Sequence, residues 1–112
     1  MMNQREKESG EKEGAWEPLP EEGIERFAEL LKALANPARL RIVNLLTTGE
    51  RTVSELCELS GLKQSLVSQQ LKILRLNNIV QYRKEVPRSY YSLTDQNVVR
   101  MLRCLSRCSA LR

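Results

Sequence analysis

Two amphipathic helices joined through a single glycine constrain this chain more than any other feature. Thr52-Val53-Ser54-Glu55 has the pattern of a capping box, in which Thr52 caps and Glu55 reaches back. It opens a short helix over Thr52–Leu59. Gly61 then supplies a turn, being tolerant of positive φ. A longer helix follows over Gln64–Leu76, with Leu66, Val67, Leu71, Ile73 and Leu74 as its apolar side and Asn77-Asn78 as its stop. A short helix, a glycine turn and a second amphipathic helix make a helix-turn-helix.

The flanks fit around that pair. Ile24, Phe27, Leu30, Leu31 and Leu34 recur at helical spacing, so a first helix is expected over Pro20–Leu34. Asn36 can cap and Pro37 suits the first position of a second helix, Pro37–Leu46. Its Leu40, Ile42, Val43, Leu45 and Leu46 fall on more than one side, which predicts a central, well-covered element. Ile79–Arg83 and Ser89–Leu93 are rich in β-branched residues and tyrosine and read as two strands. Lys84–Arg88 connects them, and Pro87 keeps the tip out of the ladder. Thr94 or Asp95 caps a last helix, Asp95–Ser109, with Val98, Met101, Leu102 and Leu105 on one stripe. The fold class is mainly α with a small β-hairpin, a winged helix-turn-helix in the order α-α-α-α-β-β-α. Residues 1–14 lack large apolar side chains beyond the opening methionines and cannot bury surface. Residues 1–19 are therefore expected to be a disordered or loosely packed tail, and 20–112 one folded domain.

Charge points to the partner. The chain has 112 residues and a net charge of +4, from 18 Lys/Arg and 14 Asp/Glu. Nine of those acids lie between Glu6 and Glu29, so the folded part is more basic than the average. That footprint suits nucleic acid. In a helix-turn-helix the N-terminal side chains of the second helix meet base edges in the major groove. Here those are Gln64, Ser65, Ser68 and Gln69. Glutamine can pair bidentately with adenine, and serine serves either kind of base. Lys63, Lys72 and Arg75 are spaced to meet phosphates. The hairpin adds Arg83, Lys84, Arg88 and Tyr90, a cationic ribbon able to grip a backbone or enter the minor groove. By alternation one of Tyr90 and Tyr91 faces inward. An enzyme is disfavoured: histidine is absent, and neither a Gly-rich phosphate loop nor a paired-carboxylate cleft is evident.

From these residues the chain resembles the ArsR/SmtB family of winged-helix repressors. The resemblance rests on Leu34-Ala35-Asn36-Pro37-Ala38-Arg39-Leu40-Arg41-Ile42 and Val53-Ser54-Glu55-Leu56. It continues through Gly61-Leu62-Lys63-Gln64-Ser65-Leu66-Val67-Ser68-Gln69-Gln70-Leu71-Lys72-Ile73-Leu74 to Tyr90-Tyr91-Ser92-Leu93. It covers about residues 24–109. It implies a homodimer formed through the first and last helices, bound to double-stranded DNA at a palindromic operator and released by an inducer. The chain departs from the family at Gln70, where His is usual, at Asn78, where Gly is usual, and at Lys63, where a capping Ser or Thr is common.

Three cysteines bear on the inducer. Metal-sensing members use thiolates in the third helix, or carboxylates and histidines in the last. With no histidine, the second site is excluded. Cys57 retains one thiol of the third-helix motif, where position 59 is Leu, and its spacing from Val53 suits the core. Cys104 and Cys108, four apart, would share a face of the last helix near Arg100, Arg103 and Arg107. Positive charge favours thiolate. In a regular helix their Cβ atoms would stand about 6 Å apart, too far for a mutual disulfide. They could offer thiolates to a soft metal or metalloid ion such as arsenite, or be oxidised or persulfidated. Equally, they could pack as small apolar residues at a dimer interface. No cofactor is required on this reading. A regulator without an inducer and an interaction adaptor are the alternatives. Residues 1–14 carry no apolar export segment and nothing reaches the length of a membrane span, so a reduced cytoplasmic setting is expected.

Overall fold

Capping chemistry sets most element boundaries. The computed structural model describes residues 17–111. Within them α1 spans Glu21–Leu34, α2 Pro37–Leu46, α3 Val53–Ser60, α4 Gln64–Leu76 and α5 Gln96–Ser106. Strands β1 (Arg51–Thr52), β2 (Val80–Glu85) and β3 (Arg88–Leu93) form an antiparallel sheet in the order β1-β3-β2. Residues 17–20 are exposed and have no regular structure, and the rest of the expected tail lies outside the described residues.

Asn36 Oδ1 accepts from the N–H groups of Ala38 and Arg39 at 2.9 and 3.1 Å, ahead of Pro37 at the start of α2. Both arms of the Thr52/Glu55 capping box are made. Gly61 ends α3 at φ 77° and Asn78 follows α4 at φ 59°. The left-handed region admits both residue types most readily. Asp95 Oδ1 accepts from Asn97 N at 2.7 Å and opens α5.

The core joins Ile42, Val43 and Leu46 of α2 to Leu56 of α3 and to Val67, Leu71 and Leu74 of α4. Ile79 and Val80 close it at the base of the hairpin, and Val98 adds the start of α5. Each fully buried aliphatic side chain contributes roughly 1.5–3 kcal/mol, so α2 and α4 are the elements this core fixes most firmly.

Three expectations are corrected. Strand β1 adds an element between α2 and α3, pairing Arg51 with Tyr91 and Thr52 with Tyr90. Two residues are too short to show an alternation. The hairpin turn is tighter than Lys84–Arg88, because β2 runs to Glu85 and β3 begins at Arg88, leaving Val86-Pro87 at the tip. The expected helix α1 forms, and the single chain leaves its apolar stripe mostly uncovered: Ile24, Phe27 and Leu31 are 47%, 44% and 41% exposed. Finally, α5 ends at Ser106 rather than Ser109. The Ser106 hydroxyl donates to Arg103 O, and the N–H groups of Arg107 and Cys108 donate to Cys104 O and Leu105 O. These three-residue spacings tighten the last turn, so Cys108 lies beyond the helix and does not share a regular helical face with Cys104.

Candidate nucleic-acid interface

Helix α4 divides cleanly into two sides. Val67, Gln70, Leu71 and Leu74 are buried, while Gln64, Ser65, Ser68, Gln69 and Lys72 are exposed. The core thus pins one side and presents the other, which carries the amide and hydroxyl groups the sequence singles out. Lys63 is exposed at the N-cap and makes no side-chain cap. With no cap, the first backbone N–H groups of α4 keep their donors for an outside acceptor. A helix N-terminus favours an anion there.

The hairpin beside α4 is less uniform than its composition implies. Its register pairs Tyr82 with Tyr91, Arg83 with Tyr90, Lys84 with Ser89 and Glu85 with Arg88. Lys84 and Arg88 therefore flank the tip on opposite faces. Both are exposed, and no ion pair involves either among the described residues. Arg83 is different. Its Nε donates to Glu50 Oε1 at 2.9 Å and its Nη1 to Glu85 Oε1 at 2.8 Å. The hydrogen bond to Glu85, then that to Glu50, holds the guanidinium's pKa above its usual value. The same guanidinium lies 4.6 Å from the Tyr90 ring centroid. Arg83, grouped by sequence with the phosphate-facing residues, is thus engaged with two carboxylates and with the ring of Tyr90, another of that group.

Sequence reasoning misses three further contacts. Arg75 lies 5.0 Å from the centre of Tyr82, which stacks on Tyr91 at 5.4 Å. This column ties the end of α4 to the hairpin. Glu50, from the turn before β1, is the second. The third is Gln70, whose Oε1 accepts from Arg39 Nη1 at 2.8 Å. The last two join residues more than thirty positions apart, which no local pattern encodes.

Cys57 is half-buried against the core, as its spacing predicts. It lines a shallow cleft of about 460 Å³ with Ser54, Glu58 and Gln64. Cys104 and Cys108 are exposed. Among the described residues, no group of three or more Cys, Asp or Glu side chains is placed to hold a metal ion. No helix among them is long and apolar enough to cross a membrane.

This geometry has relatives. Residues 36–82 match the family model described as bacterial regulatory protein, arsR family. The chain is 39% identical over 79 residues to a transcriptional repressor, the SmtB homolog of Synechocystis, covering 70% of this chain and 60% of that protein. It is 41% identical over 78 residues to the transcriptional activator HlyU of Vibrio cholerae, covering 70% of this chain and 72% of HlyU. A solved structure of HlyU superposes with a TM-score of 0.74 at 36% identity, covering 81% of this chain and 99% of that one. The homodimeric winged helix-turn-helix DNA-binding domain of Mb0332 from Mycobacterium bovis gives a TM-score of 0.69 at 32% identity, covering 74% and 77%.

Proposed function

The chain belongs to the arsR family of bacterial regulatory proteins, whose members are regulators rather than enzymes, and we propose that it is a dimeric, sequence-specific DNA-binding transcriptional repressor. The observation that carries this reading is the divided surface of α4. Its buried side is locked by Val67, Leu71 and Leu74, so Gln64, Ser65, Ser68 and Gln69 project as a fixed set of donors and acceptors. Such groups read base edges in the major groove. Lys63, Lys72, Lys84 and Arg88 supply the phosphate grip on either side.

Pairing follows from what single-chain folding leaves uncovered. Ile24, Phe27 and Leu31 on α1 and Leu105 on α5 are exposed apolar side chains. Covering them with a second copy gives a two-fold dimer, and the Mycobacterium bovis neighbour is itself a homodimer. A two-fold protein matches a palindromic operator with half-sites about one helical turn apart. Residues 20–112 act as one DNA-binding and dimerisation unit in the cytoplasm, with 1–19 as a tail.

Release is assigned to the exposed thiols Cys104 and Cys108, on and just beyond α5. A soft metal or metalloid ion, an oxidant or a persulfide is the signal. Two copies bring four thiols, which a soft ion prefers to nitrogen or oxygen donors.

The decisive experiment selects duplexes from a random pool and titrates binding across salt concentrations. The log of affinity should fall with log salt by about 0.9 per phosphate contacted, and the selected duplexes should be palindromic. Transcription from a promoter holding the selected site should fall when the protein is added. The absence of salt-dependent binding to any duplex would sink the DNA-binding reading and leave an interaction adaptor.

A further inference from the structure

Helices α1, α2 and α4 converge on Arg39. Its backbone N–H is held by Asn36 Oδ1 at 3.1 Å, which fixes the residue in the first turn of α2. Its Nε donates to Ala33 O in the last turn of α1. Its Nη1 donates to Gln70 Oε1 on α4 at 2.8 Å. The carbonyls of a helix's last turn lack intrahelical partners, and a cation there also complements the negative end of the helix. Gln70 is only 7% exposed and directly follows the exposed Gln69.

The attachment of α1 to the body is narrow. Apart from Gly23, screened locally by Leu19 and Pro20, its sheltered residues are Leu30, Ala33 and Leu34, all near its C-terminal end. Arg39 grips that same end. A guanidinium can donate in two directions from one rigid plane, which an ammonium on a flexible stem cannot reproduce.

We propose that Arg39 is a positioning residue for DNA reading. It passes the orientation of α1 to α4 through Gln70, and so sets the separation at which the two reading helices of a dimer meet DNA. The proposal rests on the reading of the chain as a DNA-binding dimer paired through α1. It assigns Gln70 a task distinct from that of its neighbour: Gln69 faces the DNA, whereas Gln70 faces the tie.

The test uses the full chain, as wild type and as the variants Arg39→Lys, Gln70→Leu and Gln70→Glu. Gln70→Leu removes the acceptor, and Gln70→Glu keeps one. A duplex selected by the wild type is remade with its half-sites moved closer or farther apart by one and two base pairs. Affinities are measured by fluorescence anisotropy at one salt concentration, alongside Tm. The wild type should prefer its selected separation. Arg39→Lys and Gln70→Leu should weaken that preference by about threefold or more, the scale of coupling within one hydrogen-bond network, and Gln70→Glu should retain it. If the first two variants keep the full preference and only Tm changes, Arg39 merely holds the fold and the proposal falls while the function stands. If Gln70→Glu behaves like Gln70→Leu, the hydrogen bond is not the carrier and the proposal falls likewise. If the wild type itself binds no duplex in a salt-dependent way, the function fails together with it.

Discussion

Arg83 and Glu50 meet across 33 positions of sequence, with the guanidinium Nε donating to Glu50 Oε1 at 2.9 Å. Glu85 takes a second edge of the same group. The pair is about half exposed, and an exposed ion pair adds little stability. Its main consequence is electrostatic: the cation nearest the middle of the wing is already neutralised.

A salt titration separates this from a phosphate contact. Lys84→Gln and Arg88→Gln should each flatten the slope of log affinity against log salt by about 0.9. Arg83→Gln should bare two carboxylates and weaken binding while leaving the slope near the wild-type value. Glu50→Gln combined with Glu85→Gln should free Arg83, strengthen binding and steepen the slope. A flattening by Arg83→Gln as large as that of Lys84→Gln would show that Arg83 leaves Glu50 for the backbone.

Base reading and folding should separate along α4. Gln64→Ala and Gln69→Ala remove exposed side chains and should cost about 1–3 kcal/mol of binding to the selected duplex. Random DNA should be bound nearly as well as before, and Tm should hardly move. Leu71→Ala, by contrast, should cost about 2–5 kcal/mol of folding stability, read as a lower urea midpoint, since Leu71 is 1% exposed.

Thr52 serves two elements at once, as the last residue of β1 and the cap of α3. Its hydroxyl accepts from Glu55 N while its own N–H donates to Glu55 Oε1. Thr52→Ala should lower stability by about 1 kcal/mol, the usual cost of losing a helix N-cap. Chemical denaturation followed by circular dichroism measures it. Thr52→Ser keeps the hydroxyl and should restore most of the loss.

Those features were legible because they are local. A capping box, a glycine turn at Gly61 and the Asn36-Pro37 start each need only three or four neighbouring residues, and each appears where the sequence puts it. Helix α4 and its two sides follow from period alone. What stayed hidden depends on partners far along the chain. β1 exists because β3 pairs with it. Arg83 looks like a free cation until Glu50 arrives from another loop. Gln70 looks like another polar residue of α4 until α2 brings Arg39 against it. The stop of α5 was also unreadable, because the apolar stripe gives no warning that Ser106 will bond back to Arg103 O.

The uncovered side of α1 makes a prediction about assembly. Phe27→Glu, alone or with Ile24→Glu, should shift the protein from dimer to monomer in analytical ultracentrifugation. Both side chains are more than two-fifths exposed in the single chain, so helical content should be preserved. Affinity for the palindromic duplex should fall toward that for a single half-site. A dimer that survives both substitutions would place the interface elsewhere than α1.

The thiols make the last prediction, and the end of α5 sharpens it. Cys104 lies within α5, whereas Cys108 follows the Arg107 cap and leads into a single turn over Ser109–Leu111. The regular-helix spacing that would keep the two thiols apart does not apply past Ser106. Their separation therefore depends on how the last residues settle, which a ligand shared by both could change. If both thiolates bind arsenite or another soft ion, Cys104→Ser and Cys108→Ser should each abolish release of DNA by that ion. If peroxide or persulfide modifies one thiol, only one of the variants should lose its response. In either case the double variant should bind DNA as the wild type does without a signal, because both side chains are exposed and neither belongs to the buried core. DNA binding that no thiol-reactive agent alters, in wild type or variant, would remove the inducer from the reading and leave a regulator governed by its abundance.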